Sequence, residues 1–353
     1  MLRPIFTWDP NRQSVIDELR KNISDITGIV ILGPVEGSIA SIPMDQQKQL
    51  RDISSAYKIP IYIVVSGHEN NPNILDKNVN WEYAKVIRWP LYWLTETLVR
   101  LSRTCNDQYN LENSYNIFSN SPNVPVEYKY TFICLNKRPK EHRYILMDKL
   151  SKFNLLQNNA VTYREHYFSA RYKLKNWTET LLFLDQENEH FVQEKIPKEY
   201  HYSFMQVVSE TDDDVFFLTE KTAVPIFLYK PFLVASNQHY HKTLKEFGFE
   251  LYDEIFDYSF DNIQNTEERF EALLSNVTKY NSCSKKELNK YYDLVRDKLI
   301  YNRNLAMKIA CDTNQFPEQW NYFSKENNPR WSLNPHDINV KVKQIYETIL
   351  GNK

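Results

Sequence analysis

Short apolar runs recur along this chain with helix-like stretches between them, and that alternation constrains the fold more than any other feature. GIVILG (28–33), IPIYIVVSG (59–67), YTFICL (130–135) and SFMQVV (203–208) all read as buried strands. A further run, 84–89, ends at Pro90. Residues 43–57 between the first two runs read as a helix. Strand, helix, strand in that order is a βαβ unit, and such units build parallel sheets. Upstream, Asp9-Pro10 reads as an N-cap and first-turn proline for a helix that buries Ile16, Leu19 and Ile23.

The pattern restarts after 106–125, a polar stretch rich in Asn and Ser that reads as a linker. Pro139 opens a helix with Leu146, Leu150 and Phe153 on one face, and Val161-Thr162-Tyr163 makes a short strand. Residues 215–218, VFFL, read as a strand leading through Thr219-Glu220-Lys221 into a helix, followed by a strand at 232–235. A helix over 242–247 stops at Gly248, placed as the C′ glycine. From 284 the chain reads as mostly helical, with Leu288, Tyr292, Val295 and Leu299 in one stripe. A last helix opens at Asn334-Pro335 with Ile338, Val342, Ile345 and Ile349 in register. The expected architecture is α/β, two Rossmann-like parallel-sheet domains facing a central cleft, over 1–125 and 126–283, with a helical C-terminal extension over 284–353.

Composition narrows the function. A net charge of −2 argues against a general nucleic-acid binder, which needs excess Lys and Arg. Cys105, Cys134, Cys283 and Cys311 are far apart with no C-x-x-C pair, as expected of reduced thiols. The first residues lack the apolar core of a signal peptide, and no apolar run approaches the ~20 residues of a membrane span. A soluble, cytoplasmic protein is expected.

Four stretches carry candidate chemistry. Thr219-Glu220-Lys221 sets an acid and a base at a strand-to-helix junction, where free backbone N–H groups and an ammonium suit a phosphate. NKRPKEHR (136–143) puts Lys137, Arg138, Lys140 and Arg143 around another such junction, where cations oppose the helix dipole and one arginine fork can grip a diphosphate. SGHENNPN (66–73) follows a buried strand, so His68 and Glu69 stand at the sheet's carboxyl edge, where a carboxylate takes a proton from a hydroxyl. ETDDD (210–214) is either a solvated acidic loop or a divalent-metal site using Asp212 and Asp214. His239-x-His241 has too few partners for a metal.

In combination these segments resemble the α-1,3-fucosyltransferase family of inverting, two-Rossmann (GT-B) enzymes. Residues 66–73 resemble its G-E-N-x-x-P-N loop with His68 inserted, and Arg88-Trp89-Pro90-Leu91-Tyr92 resembles its R-x-P-L-Y segment. YTFICL with Asn136 and Arg143 resembles the opening of the donor domain, and 217–232 resembles the TEK segment. The chain departs from the family at Phe216 and Phe217, where a glycine and a tyrosine are usual, and at Ser209-Glu210-Thr211 in place of E-N-S. A run through Gly248, Phe249, Asp257, Tyr258 and Asp261 resembles phage and bacterial glycosyltransferase-like proteins. The resemblance implies that Glu69 is the catalytic base, with His68 and Asn70 on the acceptor side. It implies that Arg143 and Lys221 bind the diphosphate and Glu220 the donor's sugar or ribose, with Thr219, Asn136, Arg138 and Glu210 beside them. It implies no metal or other cofactor, a GDP-fucose donor, and a glycan acceptor or, in a virus, a modified DNA base.

Overall fold

The computed structural model describes residues 2–6, 12–26, 28–32, 42–65, 81–88, 91, 93–95, 97–98, 101, 122, 124–125, 127–136, 140–157, 159–163, 196 and 198–310. The chain divides into two compact units, one over Met1–Tyr92 and the other over Trp93–Ala310. The division falls before the polar stretch 106–125 that composition suggested. Its reason is packing: Leu94, Leu98 and Leu101 are buried, and the Thr95 hydroxyl donates to the carbonyl of Ala310, 3.1 Å away.

In the first unit, strands β1 (Leu2–Phe6), β2 (Gly28–Leu32), β3 (Ile61–Val65) and β4 (Ala84–Arg88) form a parallel sheet in the order β1-β2-β3-β4. Helices α1 (Arg12–Lys21) and α2 (Met44–Tyr57) lie between them in the chain. Ile16 and Leu19 from α1 and Leu50 and Ile53 from α2 bury against Ile29, Ile31, Ile61 and Ile63. Strand β1 was not expected. Its Pro4 lacks the N–H of a central strand, and β1 is an edge strand, where proline is tolerated.

The second unit carries β5 (Tyr130–Asn136), β6 (Ala160–Tyr163), β7 (Ser203–Ser209) and β8 (Phe232–Ala235), all parallel, in the order β6-β5-β7-β8. Helix α3 (Glu141–Lys152) joins β5 to β6, and α4 (Glu220–Phe227) joins β7 to β8. Because these two crossovers run in opposite directions across the sheet and such connections are right-handed, α3 and α4 lie on opposite faces. Helix α5 (Tyr240–Glu246) follows, then α6 (Thr266–Asn281), which packs on α3, and α7 (Leu288–Ala310), which packs on α4. Leu288, Tyr292, Val295 and Leu299 are all buried, as their spacing required. The helix over 288–310 is therefore part of the second unit rather than an extension, and the helix expected from Asn334 lies outside the described residues.

Two local differences have physical reasons. Residues 215–218 pair with no strand; they are apolar because Phe216 stacks on Tyr240 at 4.7 Å and on Phe247 at 5.6 Å, while Leu218 is fully buried. The strand that feeds α4 is β7, through the loop 210–219. Helix α6 was overlooked although its signals are local: the Asn265 side chain caps the amide of Glu268 at 3.1 Å, and Phe270, Leu273, Leu274 and Val277 are buried on one stripe.

Candidate functional site

Strand order decides where this fold can take a ligand. In an open parallel sheet the crevice lies outside the carboxyl ends of two neighbouring strands whose connections leave in opposite directions. In the second sheet those strands are β5 and β7. They pair from Tyr130↔Ser203 to Ile133↔Gln206, and beyond that each continues with its outer neighbour, to Asn136↔Tyr163 and Ser209↔Ala235. Asn136 and Ser209 end the two strands in corresponding positions, so alternation points both side chains to the α3 face. Both are buried, and Asn136 Oδ1 and Ser209 Oγ make no hydrogen bond among the described residues. The Asn136 amide nitrogen sits 3.3 Å from Cys134 Sγ and 3.4 Å from Met147 Sδ of α3. Burial pushes the Cys134 thiol up to about 12, which leaves it inert at neutral pH.

The first turn of α3 reaches across this crevice. His142 Nε2 lies 2.9 Å, and Arg143 Nη2 3.1 Å, from the carbonyl oxygen of Glu210, and Lys140 Nζ donates to the carbonyl of Thr211. His142 Nδ1 pairs with Asp213 at 2.9 Å. Burial raises the Asp213 carboxyl, but the hydrogen bond and charge of His142 outweigh it, and the group is held below its ordinary value. The N-cap position of α3 is Lys140, whose side chain makes no capping bond to the helix.

On the other side of the crevice stand Thr219, Glu220 and Lys221. Thr219 is the N-cap of α4 and its hydroxyl accepts from the Lys221 amide at 3.3 Å. The Lys221 ammonium touches Thr211 Oγ1 at 2.9 Å, Thr219 Oγ1 at 3.5 Å and Glu220 Oε1 at 2.7 Å, and its side chain keeps 24 % of its surface. Glu220 keeps 22 %. These two are the exposed members of the group.

The second unit thus brings Asn136, Arg143, Glu210, Thr219, Glu220 and Lys221 to one edge of one sheet. Glu210 is wholly buried, and its carboxylate is bonded to Thr211 and Thr219 of the loop around it. At the start of α4 the Lys221 amide is taken by Thr219 Oγ1, and the amide and hydroxyl of the N-cap Thr219 by Glu210. Phe216 and Phe217, where the chain departs from the family pattern, are core residues. Glu69, His68, Asn70 and Arg138 lie outside the described residues. In the acidic loop Asp212 accepts the Asp214 amide at 3.0 Å, Asp213 pairs with His142, and no group of three or more His, Cys, Asp or Glu gathers for a metal among the described residues. His241 is a structural residue: Nδ1 pairs with Asp261 at 2.9 Å and Nε2 accepts the Val234 amide at 3.1 Å. Sequence reasoning missed His142 as a member of the site, because its partners, the Glu210 carbonyl and Asp213, lie in the loop after β7 and only the packing of α3 brings them to it.

Taken with its fold, this edge defines the second unit as a parallel α/β module with charged side chains of both signs gathered at its strand-order reversal. Comparison with protein-family models, curated proteins and solved structures gives no match. No helix among the described residues is long and apolar enough to cross a membrane.

Proposed function

We propose that this chain is an inverting glycosyltransferase of the two-Rossmann (GT-B) type that binds a nucleoside diphosphate sugar at the crevice of its second unit. The observation that carries the reading is the convergence of Lys221, Arg143, His142 and Lys140 on the carboxyl ends of β5 and β7. A diphosphate needs cations and neutral donors at such a position, and a dinucleotide-type crevice places them there. The resemblance of Thr219-Glu220-Lys221 and of 66–73 to the fucosyltransferase family supports transfer as the chemistry and GDP-fucose as donor.

The reaction follows from those roles. Glu69 takes the proton of an acceptor hydroxyl on a glycan as its oxygen attacks the anomeric carbon. The bond from that carbon to the diphosphate breaks with inversion, and the electron pair leaves on the diphosphate. Lys221 and, once released from the Glu210 carbonyl, Arg143 neutralise the charge that develops there. Glu220, partly exposed beside Lys221, is placed to accept hydrogen bonds from ribose or sugar hydroxyls.

Thermal shift against GDP, UDP and their sugars tests the donor half. A ligand at 100 times its dissociation constant adds about 2.7 kcal/mol. Absence of any shift at millimolar nucleotide defeats the reading. For the catalytic half, Glu69→Gln should abolish transfer while the nucleotide-dependent shift survives; turnover at the wild-type rate in that variant removes Glu69 as base.

A further inference from the structure

Glu210 is the first residue after β7, and its side chain turns back to the amino terminus of α4. A helix start presents unpaired N–H groups and about half a positive charge, which makes it an anion site. Here the anion comes from the chain itself. Glu210 Oε1 accepts the Thr219 amide at 3.0 Å and the Thr222 hydroxyl at 2.7 Å. Its Oε2 accepts the Thr219 hydroxyl at 2.6 Å and the Thr211 amide at 2.9 Å. A longer contact from the Tyr240 hydroxyl, at 3.5 Å, completes the shell around a fully buried carboxylate.

We propose that Glu210 is a built-in anion that fills the amino terminus of α4 and positions Lys221 for the ligand's diphosphate. The connection runs through two threonines. Thr219, held by Glu210 through both its amide and its hydroxyl, accepts the Lys221 amide. Thr211, held through its amide, presents its hydroxyl to the Lys221 ammonium at 2.9 Å. Both hydroxyls that face the ammonium are therefore oriented by one carboxylate. Capping alone does not call for this arrangement, because Thr219 already caps the helix and burying a charge is costly unless its bonds are complete. With the Thr219 amide and hydroxyl taken by Glu210 and the Lys221 amide by Thr219, ligand phosphates are met by the Lys221 side chain and by the α3 side of the strand edge. Glu210 is thus a positioning residue, not a contact.

The inference about Lys221 rests on the diphosphate reading above, and the test separates the two. Full-length Glu210→Ala and Glu210→Gln are compared with wild type for inorganic pyrophosphate affinity and Tm, with sodium formate or with sodium chloride at equal ionic strength. Glu210→Ala should melt lower and bind pyrophosphate about tenfold more weakly, and formate, filling the vacated site, should restore both where chloride does not. Wild type should ignore formate. Glu210→Gln should bind weakly and resist rescue, because its amide fills the space and turns N–H groups toward donors. Wild-type pyrophosphate affinity in Glu210→Ala, or a Glu210→Ala protein indifferent to formate, overturns the proposal. Should Glu210→Ala not fold, unchanged pyrophosphate affinity in Glu210→Gln overturns it and a loss supports it. If formate stabilises Glu210→Ala while wild type binds neither pyrophosphate nor GDP, the nucleotide reading fails and the built-in anion stands.

Discussion

Helix α4 has a lysine at each end, and the two are treated in opposite ways. Lys221, in the first turn, lies at the carboxyl edge of the second sheet with a quarter of its side chain in solvent. Lys230, just past the last turn, lies under the amino edge, is 6 % exposed, and donates to the carbonyl of Ser203 between the rings of Tyr200 (5.2 Å) and Tyr128 (5.9 Å). Burial pushes the Lys230 ammonium down to about 7. The carboxyl edge keeps its cation partly in solvent, paired with the Glu220 carboxylate and bonded to the hydroxyls of Thr211 and Thr219. The amino edge spends its cation on packing. One helix therefore joins the edge proposed to bind the donor to an edge whose lysine is buried.

The largest effect that sharpens this comparison is on stability. The unfolded chain holds the Lys230 proton up to an ordinary lysine value near 10.4, whereas the folded chain releases it near 7. The unfolded state thus binds more protons between those values, so stability from this group rises with pH through that window and is lowest below about 7. From pH 6.5 to 9 the gain is roughly 2–3 kcal/mol, about two units at 1.36 kcal/mol each. Urea unfolding of Lys230→Met should lack this slope and leave GDP affinity alone; an identical slope in both proteins breaks the contrast.

Next comes Lys221→Ala. On the proposed reading it weakens GDP binding by ~10–150-fold, the range of a charge-assisted hydrogen bond, as read by calorimetry. Its Tm should stay within about a degree, because partly exposed ion pairs contribute little. A variant that melts early yet binds GDP normally reverses the roles of the two lysines. The smallest effect belongs to Gly248, at the far end of α5 from the carboxyl edge. Its φ is +92°, and an added Cβ would sit at ordinary contact, 3.4 Å from Leu305. Gly248→Ala should therefore cost about 1 kcal/mol through backbone strain alone, with nucleotide affinity unchanged.

Much of this fold was legible because its signals are local. Gly248 was placed as a C′ glycine from the residue type and the end of the apolar pattern. The structure closes a Schellman motif there, Gly248 N–H to Lys245 and Phe249 N–H to Leu244. The apolar runs 28–33, 59–67, 130–135 and 203–208 contain strands because fully buried parallel strands require continuous apolar sequence. VFFL at 215–218 has the same composition and is not a strand, since burial against Tyr240 and Phe247 demands the same residues as burial in a sheet. Composition reports burial, not hydrogen-bonding partner.

The site divides along the same line. Thr219-Glu220-Lys221 was readable as a turn with an acid and a base leading into a helix from Thr222, and the structure opens that helix two residues earlier, at Glu220, with Thr219 as its cap. That Glu210 would bond to that start was not readable, since it depends on a loop folding back nine residues to bring a carboxylate under Thr219.

By itself the sequence determined the α/β class, the parallel direction of the strands, most of the helices and strands, and the residue types available to hold a phosphate. These follow from periodicity and capping, which are short-range. Only the tertiary structure decided that the second sheet runs β6-β5-β7-β8 while the first runs β1-β2-β3-β4. Strand order is set by which apolar faces pack together across long stretches of chain. That order alone brings Asn136, Arg143, Ser209 and Lys221 to one edge.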